Sequence, residues 1–167
     1  MHIFITGFMG VGKTTMGREL STTLNLPFID LDEAIEEKAE CTIATLFQTQ
    51  GEQTFRKIER ETLHQVIGKK EQHIVALGGG TMCHYDNAEQ LIREGLVVYL
   101  YASWEEIEQN IVNLKNRPLV NSNSLSELKA IFEKREPYYR KSQLTMPMNT
   151  TFESKKLLNI LKILTNR

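Results

Sequence analysis

Residues 2–14 constrain the fold more than any other stretch of the chain. Ile3-Phe4-Ile5 is a short apolar run that leads directly into Gly7-Phe8-Met9-Gly10-Val11-Gly12-Lys13-Thr14, a full match to G-x-x-x-x-G-K-[ST]. The pattern has meaning only between a strand and a helix. Both are expected here: His2–Thr6 reads as a buried strand, and Met16, Leu20 and Leu24 recur at i, i+4 and i+8 over a helix beginning at Lys13. The glycines let backbone N–H groups converge on phosphate oxygens, and the helix N-terminus adds partial positive charge. Lys13 can reach β- and γ-phosphates as a point charge, and the Thr14 hydroxyl is placed to ligate Mg²⁺. Gly10, Val11, Gly12, Lys13, Thr14 and Thr15 are therefore the expected nucleotide-binding residues. The full pattern in this context argues against an ordinary glycine-rich turn.

The remaining periodicities alternate between strand and helix. Strands are expected over 27–30, 73–77, 96–100 and, more weakly, 144–148. Helices are expected from Asp32-Glu33, over 42–47 with a stop near Gly51, and over 52–67, 87–93, 104–114, 128–135 (ended near Pro137) and 154–164. Residues 116–126 are polar, carry Pro118 and read as a loop. Near-continuous apolar strands between helices imply a parallel sheet covered on both faces. The expectation is one α/β domain over 1–167: a three-layer P-loop NTPase fold with a central five-stranded parallel sheet and a lid segment over roughly 110–126.

Composition narrows the partners. The chain has 167 residues, with 20 Lys plus Arg against 21 Asp plus Glu. That balance argues against a nucleic-acid or anionic-membrane partner held by bulk charge, so any anion site must be built locally. No apolar stretch approaches the ~20 residues of a bilayer span, and no charged-then-apolar leader opens the sequence. Cytoplasm is the expected location, and a monomer the expected state. Cys41 and Cys83 are too few for a disulfide framework. Cys83-His84 lacks a second pair at metal-ligand spacing, so it reads as loop.

Five further clusters suggest a small acidic acceptor. Asp30-Leu31-Asp32 ends the second strand, and on an extended segment a spacing of two puts both carboxylates on one side. Read alone, Asp32 suits a helix N-cap equally well. In Gly51-Glu52-x-x-Phe55-Arg56-x-x-Glu59, Glu59 stands at i+3 from Arg56 and can hold its guanidinium for a carboxylate; in isolation an exposed ion pair is commoner. Gly78-Gly79-Gly80 offers bare backbone to a ligand, where a flexible turn rarely needs three glycines. Arg117-Pro118-Leu119 lies in the polar loop, where an arginine can close on a transferred phosphoryl group. Arg135-x-Pro137-x-Tyr139 follows. Either arginine, seen alone, fits a solvated surface charge.

Taken in order from Gly7 to Tyr139, the six motifs resemble the shikimate kinase family. The resemblance implies an ATP- and Mg²⁺-dependent phosphotransferase acting on shikimate. It implies that Lys13 and Thr14 hold phosphates and Mg²⁺, with Asp30 in the outer shell of the metal. Asp32 would bind the shikimate hydroxyls and act as base. Arg56 and Arg135 would clamp the carboxylate, with Gly78, Gly79 and Gly80 alongside and Phe47 and Phe55 lining the ring pocket. Arg117 would be the lid arginine, catalytic together with Asp32 and Lys13. Two departures stand out. Asn110 replaces an arginine that family members often carry near the adenine, with Lys115 as a candidate substitute. Asn149-Thr150-Thr151 supplies no evident stacking side chain. Another small-acid kinase, such as a gluconate kinase, and a non-catalytic nucleotide-binding module are the competing readings.

Overall fold

The computed structural model describes residues 1–111, 124–148, 159 and 161. Its elements are β1 (His2–Thr6), α1 (Lys13–Leu24), β2 (Phe28–Asp30), α2 (Leu31–Ala39), α3 (Ile43–Ile67), β3 (Ile74–Ala76), a 3₁₀ turn (Thr81–Cys83), α4 (Asn87–Glu94), β4 (Gly95–Tyr101), α5 (Trp104–Ile111), α6 (Leu125–Tyr139) and β5 (Leu144–Pro147). The sheet is parallel throughout, in the order β2-β3-β1-β4-β5. Ile3, Phe4 and Ile5 are all fully buried. Successive side chains point to opposite faces of a strand, so both faces of the sheet are covered, as the unbroken apolar run requires.

The register sets the working edge. Ile5 pairs with Ala76, and Ala76 with Asp30. The three strands β1, β2 and β3 therefore end level, and the turns after them emerge in one row. The chain reverses its winding at β1, which lies between β3 and β4, and such switch points at the carboxyl ends of strands are where open α/β sheets bind ligands.

The expected pair of helices, 42–47 and 52–67, is borne out: α3 consists of two helical segments that meet at a kink, where Gly51 is non-helical at φ 78°, ψ 171°. Two boundaries differ from the expectation, each for a local reason. α6 starts at Leu125 rather than 128, because Ser124 and Glu127 close a capping box in which each side chain serves the other's backbone N–H. It also runs through Pro137 to Tyr139. Proline removes one helical hydrogen bond, but the final turn is held by the complete burial of Tyr139 and by Arg140 N donating to Glu136 O at 3.0 Å. Of the expected terminal helix over 154–164, Asn159 and Leu161 are described; both are helical, and Leu161 lies in the core.

Candidate active site

The loop between β1 and α1 is shaped by its glycines. Gly7, Gly10 and Gly12 all have positive φ. Gly12 is the N-cap of α1, with φ 87°, and no side chain caps that end. The helix N-terminus therefore faces the cleft with its own N–H groups, the arrangement that favours an anion. Lys13 is buried, and its Nζ donates to the Phe8 carbonyl at 3.0 Å, which holds the ammonium against its own loop.

Thr14 Oγ1 donates to Asp30 Oδ2 at 2.7 Å, while Asp30 Oδ1 accepts from Asp32 N at 3.0 Å. Asp30, not Asp32, is thus the N-cap of α2. The two carboxylates do not share a face of an extended segment: Asp30 closes β2 and Asp32 sits in the first helical turn. Both nevertheless line one cleft of about 210 Å³ with Gly10, Gly12, Lys13 and Thr14. Because the Thr14 proton goes to Asp30, the hydroxyl oxygen keeps its lone pairs for a cation. Two hard oxygen donors beside a phosphate loop suit Mg²⁺, which takes few protein ligands and completes its shell with phosphate and water. Among the described residues, no group of three or more His, Cys, Asp or Glu forms a closed cage.

A second cleft, of about 500 Å³, opens on the other side of the loop. It is lined by Gly10, Val11, Gly12 and Thr15, by Ala102 beyond β4, and by Met148 beyond β5. Asn110, on α5, also borders it and donates from Nδ2 to the Gly10 carbonyl at 3.1 Å. The residue that departs from the family pattern therefore ties α5 to the phosphate loop.

The opposite corner is built from side chains. Arg56 is buried; it donates to Glu59 Oε2 at 2.8 Å and, from Nε and Nη2, to Glu52 Oε1 at 3.3 Å. Its guanidinium carbon stands 4.8 Å from the centre of the Phe55 ring, and the Phe47 and Phe55 rings meet at 4.7 Å. The glycine turn closes on this group. A Cβ on Gly80 would stand 2.8 Å from Arg56 Nη2, and one on Gly78 would stand 2.7 Å from Asp32 Oδ1. Arg135 Nη1 is 3.6 Å from the Cβ position of Gly79. Asp32, Arg56 and Arg135, from three different helices, thus converge on three consecutive glycines.

Thr81 was not singled out from the sequence, and Tyr139 was named only as the end of a motif, with no role. Thr81 donates to Glu59 Oε1 at 2.7 Å. The Tyr139 hydroxyl donates to the Gly79 carbonyl, and burial raises its pKa well above the ordinary tyrosine value. Position was the available signal: Thr81 follows the glycine triplet, and Tyr139 closes R-x-P-x-Y. Cys83 and His84 lie within the electrostatic reach of Arg56 and Arg135. Burial raises the Cys83 pKa and lowers that of His84, and the arginines oppose the first shift while Arg56 reinforces the second. Arg117, Lys115 and 149–151 lie outside the described residues.

A family model described as shikimate kinase matches residues 9–165. A shikimate kinase of Parabacteroides distasonis is 38% identical over 162 residues, covering 94% of this chain and 90% of that protein. The chain belongs to the shikimate kinase family. The solved structure of shikimate kinase from Acinetobacter baumannii in complex with shikimate superposes with a TM-score of 0.86 at 35% identity, over 99% of this chain and 94% of the other. A gluconokinase from Sinorhizobium meliloti superposes with a TM-score of 0.60 at 13% identity, over 98% of this chain and 96% of the other, a likeness of fold alone. Members of the family are ATP-dependent phosphotransferases that use Mg²⁺ and act on an alcohol group. Among the described residues, no helix is long and apolar enough to cross a membrane.

Proposed function

We propose that this chain transfers the γ-phosphoryl group of MgATP to the 3-hydroxyl of shikimate, giving shikimate 3-phosphate on the route to aromatic amino acids. One observation carries the reading beyond family membership: Asp32, Arg56 and Arg135 meet at the glycine turn beside the cleft that Asp32 shares with Lys13 and Thr14. An anionic acceptor held there presents a hydroxyl to the phosphate loop.

In this reading the Arg56 and Arg135 guanidinium groups pair with the acceptor carboxylate, and the Gly79 and Gly80 backbone lies against it. The Phe47 and Phe55 rings form the apolar side of the pocket. Lys13 offsets charge on the β- and γ-phosphates, and Arg117, outside the described residues, does the same. Mg²⁺, when bound, supplies positive charge to the same oxygens, with Thr14 as ligand and Asp30 behind it. Asp32 aligns the acceptor hydroxyl. As the oxygen–phosphorus bond forms and the γ-phosphorus separates from the β-bridging oxygen, the hydroxyl proton passes to the Asp32 carboxylate and ADP leaves. Most of the acceleration in such a reaction comes from positioning and charge stabilisation. We also infer a cytoplasmic monomer with no nucleic-acid or membrane partner, in keeping with the near-neutral net charge of −1.

The test is ADP release from MgATP with shikimate and, separately, with gluconate, using Lys13→Ala as the blank. Release that requires shikimate and disappears in the variant supports the activity and the phosphate loop together. Stimulation by gluconate alone would replace the acceptor. Failure of both acids, with ATP still bound, would leave a nucleotide-binding module.

A further inference from the structure

Arg56 can grip a carboxylate only if its guanidinium is aimed, and its aim depends on a carboxylate that is itself almost completely buried. Glu59 is 1% exposed. A buried carboxylate needs hydrogen-bond donors on both oxygens. Arg56 serves Oε2 at 2.8 Å, and Thr81, from the 3₁₀ turn, serves Oε1 at 2.7 Å. Glu59 is therefore held from two sides, and the oxygen left to Arg56 is fixed in direction.

Thr81 is held in turn. It is fully buried, its N–H donates to the Gly78 carbonyl at 3.2 Å, and its carbonyl accepts from Asn87 Nδ2 at 2.9 Å. Its β-branched side chain has few rotamers. The bond to Glu59 passes beside Gly78, whose Cβ position is 3.0 Å from Thr81 Oγ1, 3.2 Å from Glu59 Oε1 and 2.7 Å from Asp32 Oδ1. A continuous line thus runs from Asn87 through Thr81 and Glu59 to Arg56, along the wall that Asp32 faces.

We propose that Thr81 is a positioning residue of the acceptor site, whose hydroxyl orients Glu59 and through it aims Arg56 at the acceptor carboxylate. The proposal rests on the shikimate reading above. Without the hydroxyl, Glu59 Oε1 loses its donor. The carboxylate is then free to turn toward Arg56 with both oxygens, drawing the guanidinium off the line that the acceptor needs.

Thr81→Val keeps the shape and removes the hydroxyl; Thr81→Ser restores it. The expected result is a rise of about ten- to a hundredfold in the KM for shikimate in Thr81→Val, the effect of a lost hydrogen bond to a charged group. The KM for ATP should stay within about twofold, and Thr81→Ser should recover most of the loss. Methyl shikimate, which lacks the charge, separates aiming from general damage: the preference for acid over ester should collapse in Thr81→Val. An unchanged shikimate KM, a parallel rise in the ATP KM, or equal losses for acid and ester would overturn the proposal. If Thr81→Val does not fold, Thr81→Ala takes its place under the same criteria. Exchange of the Arg56 side-chain N–H protons, followed by NMR without substrate, should be slower in the variant, because both Glu59 oxygens then hold the guanidinium, and unchanged or faster exchange would also overturn the proposal. That arm stands even if the wild-type chain does not phosphorylate shikimate, an outcome that would overturn the acceptor assignment instead.

Discussion

The turns after β1 and β3 are both rich in glycine, but a methyl group would harm them in different ways. At Gly12, φ is +87° and nothing lies within 4 Å of the position a Cβ would take. Room is ample there, and the left-handed backbone is the obstacle. At Gly80, φ is −108° and ψ is −7°, open to any residue, yet a Cβ would stand 2.8 Å from Arg56 Nη2. The first turn uses glycine to point its N–H groups at an anion. The second uses it to let side chains in. In the proposed reading, the nucleotide side is thus built from consecutive backbone, and the acceptor side from side chains gathered out of α2, α3 and α6.

The sharpest way to break this contrast is to remove chemistry from the acceptor side alone. Asp32→Asn should lower kcat by about 10²–10⁴-fold, the usual contribution of a positioned base, while ATP binding, measured by calorimetry, stays near wild type. Turnover close to normal would remove Asp32 from that role. Arg56→Ala should come next, raising the shikimate KM by about a hundredfold, since the acceptor carboxylate and the buried Glu59 both lose a partner; an unchanged acceptor KM would take the clamp apart.

The two glycines can then be set against each other. Gly80→Ala should raise the shikimate KM by about tenfold through displacement of the Arg56 guanidinium, with the ATP KM held. Gly12→Ala should do the reverse, weakening ATP through a left-handed strain of about 1–2 kcal/mol. Equal effects on both substrates in either variant would erase the distinction. The smallest effect is expected at Glu52. Its side chain is 59% exposed against 1% for Glu59, and its bonds to Arg56 are 3.3 Å long. An exposed ion pair contributes little, so Glu52→Gln should change the acceptor KM by less than about threefold.

This difference also explains what could be read from the sequence. The phosphate loop is a contiguous pattern in which backbone conformation follows from glycine spacing, so its residues could be named from composition and order. The parallel sheet was legible for the same reason, because Ile3–Ile5 and Leu96–Leu100 are apolar on both faces. The acceptor corner depends on contacts between residues far apart in sequence, such as Thr81 with Glu59 and Tyr139 with Gly79. No local periodicity records those meetings; the local clusters suggested an acidic acceptor, and the family resemblance joined them into one corner. The spacing argument for Asp30 and Asp32 reached a true neighbourhood through a wrong conformation, because the helix begins between them. The start of α6 was legible in Ser124-Leu125-Ser126-Glu127 and was hidden only by the polarity of the flanking loop. Its passage through Pro137 was not legible, because the burial of Tyr139 that holds the last turn is a tertiary effect.

The break in α3 has a consequence that can be stated as simple geometry. In an unbroken helix, residues 47 and 55 would be about 12 Å apart along the axis and more than two turns around it. Their ring centres are instead 4.7 Å apart. One residue closes that distance: Gly51, at φ 78° and ψ 171°, a region open essentially only to glycine. Gly51 has nothing within 4 Å of its Cβ position, so bulk is not what excludes other residues. It works as a caliper, fixing the gap between two aromatic jaws with a single pair of backbone dihedrals.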